Sequence, residues 1–406
     1  MLRGEGERLR NSSPLPPLKR KIKKRIKMKI QTKLIKAVHT KQNSYSAITT
    51  PIFLASTYAQ DEINKPGEFE YQRGKNPTTK AFEDSICAVF GASYAHATAS
   101  GMGAITLALS LLKTGQKVLF CENIYGGTFR YAKKIMENIG IKYELRSDLE
   151  SLKNLSSDVG AIYIETPSNP LLNITDIKKI VALAHANNAI VIADNTFMPL
   201  FQSPLALGVD VELHSATKFI GGHGDSLGGV VCTNDKALGA KIGSLKSTLG
   251  IALAPFDSYL MLRGLKTMKL RFDAQIANTK KILKFLKSHK AVQKLYFAGG
   301  ASEHERAVHE AQAGGCLGAV LSFEMSEKYC YKRFASSLEL FDIASSLGGV
   351  ESLICHPATM SHASYGEQLR AKIGIKDNLL RLAIGCEDGE DLIADLARAF
   401  AKAKKS

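Results

Sequence analysis

The chain has 406 residues, of which 45% are hydrophobic and 23% charged, ordinary proportions for a soluble globular protein large enough for two domains. Its formal net charge of +16 suggests a nucleic-acid or membrane-surface partner, but half of this excess lies in residues 1–27, which carry ten Lys or Arg and two Glu. Seven scattered cysteines without a Cys-x-x-Cys pair, and the lack of a membrane-length apolar run, argue against disulfides, a metal site and a membrane span.

Residues 1–27 combine three prolines with a basic run over 19–27 and contain too little apolar sequence to fold alone. We predict a disordered basic tail, or a segment that arises from a start site placed too early, since Met28 opens a more ordinary sequence. The N-terminus also lacks the apolar core of a signal peptide. We therefore expect a cytoplasmic protein that binds neither nucleic acid nor a membrane.

The rest of the chain divides into three predicted parts. Residues 28–75 are predicted to form an extended arm, which ends at Tyr71-Gln72-Arg73-Gly74. Residues 76–270 alternate helical periods with short apolar runs, which predicts an α/β domain with a mostly parallel sheet. Residues 271–406 are predicted to form a smaller C-terminal α+β domain. The expected strands are 118–121, 161–164, 189–193, 209–213 and 379–384, and the expected helices include 81–90, 177–187 and 391–401.

Small residues precede the helical pattern that begins near residue 104. In Ser100-Gly101-Met102-Gly103, backbone N–H groups at a helix start can bind an anion, and the helix dipole favours negative charge there. The dinucleotide fingerprint would need a third glycine where Thr106 stands, so a Rossmann cofactor is not supported. Gly101 and Met102 are therefore candidate phosphate-binding residues, although such a helix start often serves only packing.

Two loops follow predicted strands and carry candidate cofactor contacts. Tyr125, followed by two glycines, could stack on a flat ring, because the glycines let backbone approach it. Asn169, in the loop 165–170, could bind a phenolic oxygen of that ring. Taken alone, the Tyr125 segment is better explained as an ordinary turn, and the alternative for the Asn169 segment is simply a Pro-rich loop.

Lys218 follows the apolar run 209–213 in the segment His214-Ser215-Ala216-Thr217-Lys218. Its amine could form a Schiff base while the hydroxyls of Ser215 and Thr217 bind a phosphate. Asp194 ends the run 189–193, where it could pair with a pyridinium nitrogen. A surface lysine and a helix-capping aspartate are the ordinary alternatives. Because all these groups fall at the same end of successive strands, we predict a site for pyridoxal 5′-phosphate (PLP).

The full set of segments resembles the trans-sulfuration family of PLP enzymes, which act in cysteine and methionine metabolism. The resemblance covers about residues 28–403. The matching segments are Glu70-Tyr-Gln-Arg73 with Asn76-Pro-Thr, Ser100-Gly-Met, Tyr125-Gly-Gly-Thr, Asp194-Asn-Thr-Phe, Ser215-Ala-Thr-Lys218 with Gly222-His, Ser346-Leu-Gly-Gly-Val-Glu-Ser and Arg381-Leu-Ala-Ile-Gly.

The resemblance implies a fold-type-I PLP-dependent transferase, similar to aspartate aminotransferase, that assembles as a homotetramer of two active dimers. Lys218 would bind PLP covalently and then shuttle protons, and Asp194 would keep the ring nitrogen protonated. Tyr125 would stack on the ring and help proton transfer near the leaving group. The remaining implied contacts are Gly101, Met102, Ser215 and Thr217 to the phosphate, Tyr71 and Arg73 to the neighbouring subunit's phosphate, and Arg381 with Ser346 to the substrate α-carboxylate.

Within this family, the segments favour a cystathionine γ-synthase, which replaces the γ-substituent of an O-acylhomoserine with cysteine. Glu70 and Arg130 match positions that face the distal part of an amino-acid substrate in cystathionine enzymes. Cystathionine γ-lyase is the main alternative, followed by methionine γ-lyase and O-acylhomoserine sulfhydrylase. Ser345 stands where cystathionine γ-synthases and γ-lyases commonly have a glutamate, and Gly222-His-Gly-Asp resembles the sequence of some methionine γ-lyases. A regulator without catalysis would be expected to lose Lys218 or Arg381, and both are present.

Overall fold

A computed structural model describes residues 28–37 and 47–405. The predicted basic tail over 1–27 lies outside these residues. A seven-stranded sheet in the order β1-β7-β6-β5-β4-β2-β3 forms the centre of the first part of the chain. Its strands are β1 (Tyr94–Thr98), β2 (Lys117–Cys121), β3 (Lys142–Arg146), β4 (Val159–Glu165), β5 (Ile190–Asp194), β6 (Val211–Ser215) and β7 (Gly229–Thr233).

The prediction of a mostly parallel sheet is confirmed. The five strands from β6 to β3 pair in parallel, and only β7 and β1 run antiparallel to their neighbours. The predicted strands over 118–121, 161–164 and 189–193 are confirmed, whereas the one over 209–213 begins two residues later, at Val211. Central strands such as β4 are buried throughout or nearly so, which explains their continuous apolar sequence.

Helices pack on this sheet and begin at recognisable capping residues. The side chains of Asn76, Ser100, Asp176 and Asp235 each accept backbone N–H groups at a helix start. The predicted helices over 81–90 and 177–187 are confirmed, and the first starts four residues earlier at Pro77. The helices of this part are α2 (Pro77–Phe90), α3 (Gly101–Leu109), α4 (Gly126–Tyr131), α5 (Ile177–Ala186) and α6 (Lys236–Leu249).

A long helix, α7 (Pro255–Ser288), leads from the first sheet to the second. Its 34 residues correspond to a length of about 51 Å. Pro255 stands at its first turn, where the missing N–H costs no helical hydrogen bond. The predicted domain boundary near residue 270 falls inside this helix, so secondary structure does not mark it and the division stays a prediction.

The second sheet has five strands in the order β10-β11-β12-β9-β8 and is mostly antiparallel. The predicted strand over 379–384 and the predicted closing helix are both present. The strands are β8 (Val292–Tyr296), β9 (Val320–Met325), β10 (Asp342–Ile343), β11 (Leu353–Cys355) and β12 (Leu379–Ala383). The helices are α8 (Glu303–Ala313), α9 (Tyr331–Ser336), α10 (Gly366–Lys372) and α11 (Gly389–Ala403).

The N-terminal part of the described chain is not uniformly extended. Ile30–Lys36 forms a helix, α1, so the expectation of an extended arm is wrong for these residues. Leu34 is buried there, one turn after Ile30, and α1 packs against α7. Residues 47–75 contain only isolated bridges, such as Thr57 with Tyr71, and are mostly exposed. In the part of the chain that the structure describes, no helix is long and apolar enough to cross a membrane.

Candidate active site

A cavity of about 290 Å³ opens at the carboxyl ends of β4, β5 and β6 and extends to the second sheet. In register, Glu165 at the end of β4 pairs with Asp194 at the end of β5. Eleven of the predicted site residues line this cavity: Gly101, Met102, Tyr125, Arg130, Asn169, Asp194, Ser215, Thr217, Lys218, Ser346 and Arg381.

Three predicted site residues lie outside the cavity of their own chain. Glu70 and Tyr71 are exposed, and the Tyr71 side chain is 51% accessible. Arg73 is also exposed, and its Nη1 donates to the backbone oxygen of Ser247 at 2.8 Å. All three residues are therefore exposed at the surface of their own chain.

The anion-binding end of the cavity is formed by the start of α3 and the loop after β6. The Ser100 hydroxyl accepts the N–H of Gly103 at 3.0 Å, while the first helical N–H groups have no intrahelical acceptor. A Cβ atom at Gly101 would lie 2.6 Å from the Ser215 hydroxyl, so only glycine allows this approach. Thr217 also lines this end of the cavity, and its hydroxyl donates to the Gly228 oxygen at 3.1 Å. This combination fits a phosphate group.

Asp194 forms the acidic wall of the cavity. Its Oδ1 accepts the N–H and the hydroxyl of Thr196, at 2.9 and 2.5 Å, and its Oδ2 accepts the Tyr163 hydroxyl at 3.4 Å. Burial nevertheless raises the pKa of Asp194. Burial and the Asp194 charge also raise the pKa of Glu165 well above its ordinary value. Two neighbouring buried carboxyls favour a cation in the cavity, which a protonated ring nitrogen would supply.

Tyr125 presents its ring at the cavity from the start of α4. Its N–H donates to Glu165 Oε1 at 2.8 Å, which fixes the backbone from which the ring projects. A Cβ atom at Gly127 would lie 2.3 Å from the Tyr125 ring, so a side chain at position 127 would displace the aromatic group. The ring therefore has both the exposure and the support to stack on a flat ligand.

Lys218 points its amine toward the second sheet. The Nζ donates to the Ser346 hydroxyl at 2.7 Å. Burial, and secondarily the charge of Arg381, lower the pKa of Lys218 to about 8. A substantial fraction of this amine is therefore neutral near physiological pH, as a nucleophile or general base requires.

Arg381 lies on β12, beside the lysine, and is buried. Its Nη1 donates to Asn169 Oδ1 at 2.9 Å and its Nη2 to the Ser346 oxygen at 2.7 Å. Among the described residues, its Nε has no hydrogen-bond partner and the guanidinium forms no ion pair with an acid. A buried arginine with this unused donor fits a carboxylate ligand. Asn169, which accepts this bond through Oδ1, also lines the cavity.

Several lining residues were not predicted as site residues from the sequence. Thr196 connects two predicted ones, because its hydroxyl donates to Asp194 and accepts the Ser215 N–H at 2.8 Å. Its position two residues after an aspartate was a usable signal for this local bond. Glu165 belonged to a recognised loop, but nothing indicated that its side chain would support Tyr125. Ser361 and Met360 follow no motif, and only the fold brings them to the cavity.

Comparisons with known proteins agree with this geometry. The family model described as Cys/Met metabolism PLP-dependent enzyme matches residues 31–401. A cystathionine beta-lyase from Lactococcus lactis subsp. cremoris (strain MG1363) is 44% identical over 380 residues, which are 92% of this chain and 99% of the relative. The predicted family and the predicted cofactor, PLP, are both confirmed.

Solved structures extend the similarity to the fold. The cystathionine gamma-lyase from Lactobacillus plantarum complexed with L-serine superimposes with a TM-score of 0.89 at 40% identity, covering 93% of this chain and 99% of that one. The cystathionine gamma synthase from Xanthomonas oryzae pv. oryzae in complex with cystathionine gives a TM-score of 0.88 at 35% identity, with the same coverage. The predicted PLP-transferase fold is confirmed.

The Lys218 amine of the cofactor-free protein should react with an amine-selective acylating reagent with a midpoint at a pH of about 8, matching its lowered pKa. Replacing Arg381 by Gln should raise this midpoint, because a neighbouring cation disfavours the ammonium form. The charge-preserving control, Arg381→Lys, should keep the midpoint low. Quantitative mass spectrometry of the Lys218 peptide between about pH 6 and pH 10 measures it, bracketing the ordinary lysine range. Equal midpoints in Arg381→Gln and the wild type would contradict the assigned cause.

Proposed function

Because the chain belongs to the Cys/Met metabolism PLP-dependent enzyme family, we propose that this trans-sulfuration enzyme cleaves a carbon–sulfur bond of cystathionine. The observation that carries the proposal is the presence of two arginines in the cavity, Arg381 beside Lys218 and Arg130 on α4. Cystathionine carries a carboxylate at each end, so each arginine has a partner. Methionine and O-acetylhomoserine carry only one carboxylate and leave Arg130 without one.

The names of the relatives favour the cleavage direction. The compared relative at 44% identity is a cystathionine beta-lyase, and the compared structure at 40% identity is a cystathionine gamma-lyase. Cystathionine γ-synthase, favoured from sequence, is the second candidate. The similarity to a γ-synthase in complex with cystathionine supports it, and the same two arginines suit cystathionine as a product.

The cofactor half of the proposed site uses residues of the first sheet. Bound PLP supplies an electron sink for the charge left when a proton leaves Cα. Asp194 would keep the ring nitrogen protonated, and Tyr125 would stack on the ring. Asn169 donates through Nδ2 to the phenolic oxygen. The phosphate would be bound by the N–H groups of Gly101 and Met102, by the Ser215 hydroxyl, and by the Thr217 hydroxyl once it turns from the Gly228 oxygen.

The substrate half brings the amino acid to Lys218. Arg381 binds the α-carboxylate through its fork of donors, with Ser346 beside it. The Lys218 amine removes the Cα proton, and the Ser346 hydroxyl at 2.7 Å orients its lone pair. In γ-cleavage the same amine would first pass on the proton taken from Cα and could then, as a neutral base again, remove a Cβ proton, which a flexible lysine side chain can reach. Tyr125 delivers a proton to the departing sulfur.

Completion of the site by a second subunit is also part of the proposal. Tyr71 and Arg73 are exposed on the segment before α2, where they can contact the PLP phosphate of a neighbouring chain. Glu70 lies beside them and would face the distal end of the substrate. Each active dimer then contains two shared sites, and two dimers form the tetramer implied by the resemblance.

Purified enzyme supplied with PLP and cystathionine should consume the substrate and water and release ammonia. Cleavage on the β side yields homocysteine and pyruvate, whereas cleavage on the γ side yields cysteine and 2-oxobutyrate. Product identification by mass spectrometry separates these outcomes. Faster net synthesis of cystathionine from O-succinyl- or O-acetylhomoserine and cysteine would reject the lyase proposal in favour of the γ-synthase.

Lys218→Ala should lower the turnover of cystathionine by a factor of about 10²–10⁴ or more, because the proton-transferring amine is lost. Lys281→Ala is a suitable control, since this lysine is exposed on α7 and its amine forms an ion pair with Glu390. Near-normal activity of Lys218→Ala would refute the assigned role.

Arg73→Ala should weaken PLP binding by about 10- to 100-fold, the loss expected for one charge-assisted bond to phosphate. Equilibrium dialysis of the cofactor measures this effect. Lys75→Ala removes a neighbouring exposed cation and should bind PLP like the wild type. Unaltered affinity in Arg73→Ala would argue against a shared site.

A further inference from the structure

Arg271 is a buried cation that the proposed chemistry does not use. It lies on α7 and is only 5% exposed. Within the described residues, it forms no ion pair with a carboxylate. A buried guanidinium without an anion is costly, and burial lowers its pKa to about 10. Among the described residues its Nη1 has no hydrogen-bond partner, so the contacts of Nη2 and Nε must offset this cost.

Those contacts are backbone carbonyls next to Lys218. The Nη2 of Arg271 donates to the oxygens of Phe219 at 2.8 Å, Ile220 at 3.4 Å and Gly264 at 3.0 Å. Its Nε donates to the Thr267 hydroxyl at 3.1 Å. The Arg271 side chain thus connects the long helix α7 to the two residues that directly follow Lys218.

Two glycines make room for this arrangement. At Gly222, where φ is +69°, a Cβ atom would lie 1.8 Å from Arg271 Nη1, so any side chain there would displace the guanidinium. At Gly264 a Cβ atom would lie 2.2 Å from the Gly221 oxygen. A glycine inside a helix is destabilising relative to alanine, and here it permits the turn after Lys218 to approach α7.

The same turn receives two further contacts. The Phe219 ring stacks on Phe272, the neighbour of Arg271, with ring centres 4.4 Å apart. On the side away from α7, a Cβ atom at Gly348 would lie 2.7 Å from the Phe219 nitrogen. The loop that contains Ser346 therefore packs directly on the turn. The backbone of Phe219 is therefore held between α7 and the segment that supplies the hydrogen-bond partner of Lys218.

We propose that Arg271 is a positioning residue, which fixes the turn Lys218–Gly222 so that the lysine amine stays in the cavity against Ser346. It contacts neither cofactor nor substrate and acts only through the backbone that follows Lys218. The inference rests on the proposed role of Lys218, but the placement of the amine can be measured without turnover.

The test compares Arg271→Met and Arg271→Lys with the wild type as cofactor-free proteins. Acylation of Lys218 followed by mass spectrometry gives the pH midpoint of the amine, and thermal unfolding gives stability. With the turn released, the amine reaches solvent, so the pH midpoint of Lys218 in Arg271→Met should rise toward that of exposed lysines. Arg271→Lys keeps the charge but not the fork of donors, so its shift in midpoint should be smaller.

The PLP-loaded Arg271→Met enzyme should lose about 10- to 100-fold in kcat with little change in KM, since Arg381 is intact.

Asp395→Ala is the matched control. Asp395 is also a buried charged residue that binds backbone, accepting the N–H groups of Glu339 at 3.0 Å and Leu340 at 2.9 Å on the second sheet's side of the molecule. Its loss should lower the unfolding temperature without moving the Lys218 midpoint. A folded Arg271→Met protein that behaves in the same way, with wild-type midpoint and kcat, would overturn the inference.

If Arg271→Met does not fold, the variant Thr267→Val tests the inference through the same Lys218 midpoint and unfolding temperature. This variant removes only the partner of Nε and should shift the midpoint in the same direction by less, whereas an unchanged midpoint in both Thr267→Val and Arg271→Lys would overturn the inference. A shifted midpoint in a protein without lyase activity would retain the inference and reject the proposed function.

Discussion

The in-register pairing of parallel strands β4, β5 and β6 is the constraint on which the site depends. It brings Glu165 and Asp194 side by side and places Leu213, two residues before Ser215, next to Asp194. Because the strands are parallel, their following loops all leave at one edge of the sheet. The carboxyl pair, the hydroxyl loop and the lysine turn therefore reach one cavity through the register of the sheet, and the long-range bond from Arg271 to the Phe219 oxygen adds to this arrangement.

The second half of the site has a different origin, since Arg381 and Ser346 come from the other sheet. The buried polar face of α7 connects the two halves. Arg271 binds the turn after Lys218, Gln275 donates to the Gly349 oxygen at 2.7 Å, and Asn278 donates to the Gly385 oxygen at 3.2 Å. These acceptors flank the segments that carry the lysine, the serine and the arginine of the site. One rigid helix thus sets the distance across the cavity.

The sequence predicted the elements whose signals are local and missed those that depend on tertiary contacts. The central strands β2, β4, β5 and β6 were visible as apolar runs, whereas β7 was missed although it is fully buried. The edge strand β3, also missed, reads Lys-Tyr-Glu-Leu-Arg and is only partly buried. Lys218 and Asp194 were found because chemistry restricts residue type at strand ends. Arg271 gave no such signal, because its partners are carbonyl oxygens that any residue supplies. A β-lyase was not considered from sequence, since β- and γ-cleavage use the same carboxylates and differ only in which carbon bears the bond that breaks.

The paired carboxyls of Glu165 and Asp194 also affect the stability of the native state. Without a cation between the strand ends, the native state holds two acids whose ionisation is disfavoured, and PLP binding relieves this cost. A ligand that binds only the native state adds about 1.4 kcal/mol to its stability for each tenfold excess over its dissociation constant. The PLP-bound enzyme is therefore expected to unfold, and to be cleaved by a protease, less readily than the cofactor-free protein.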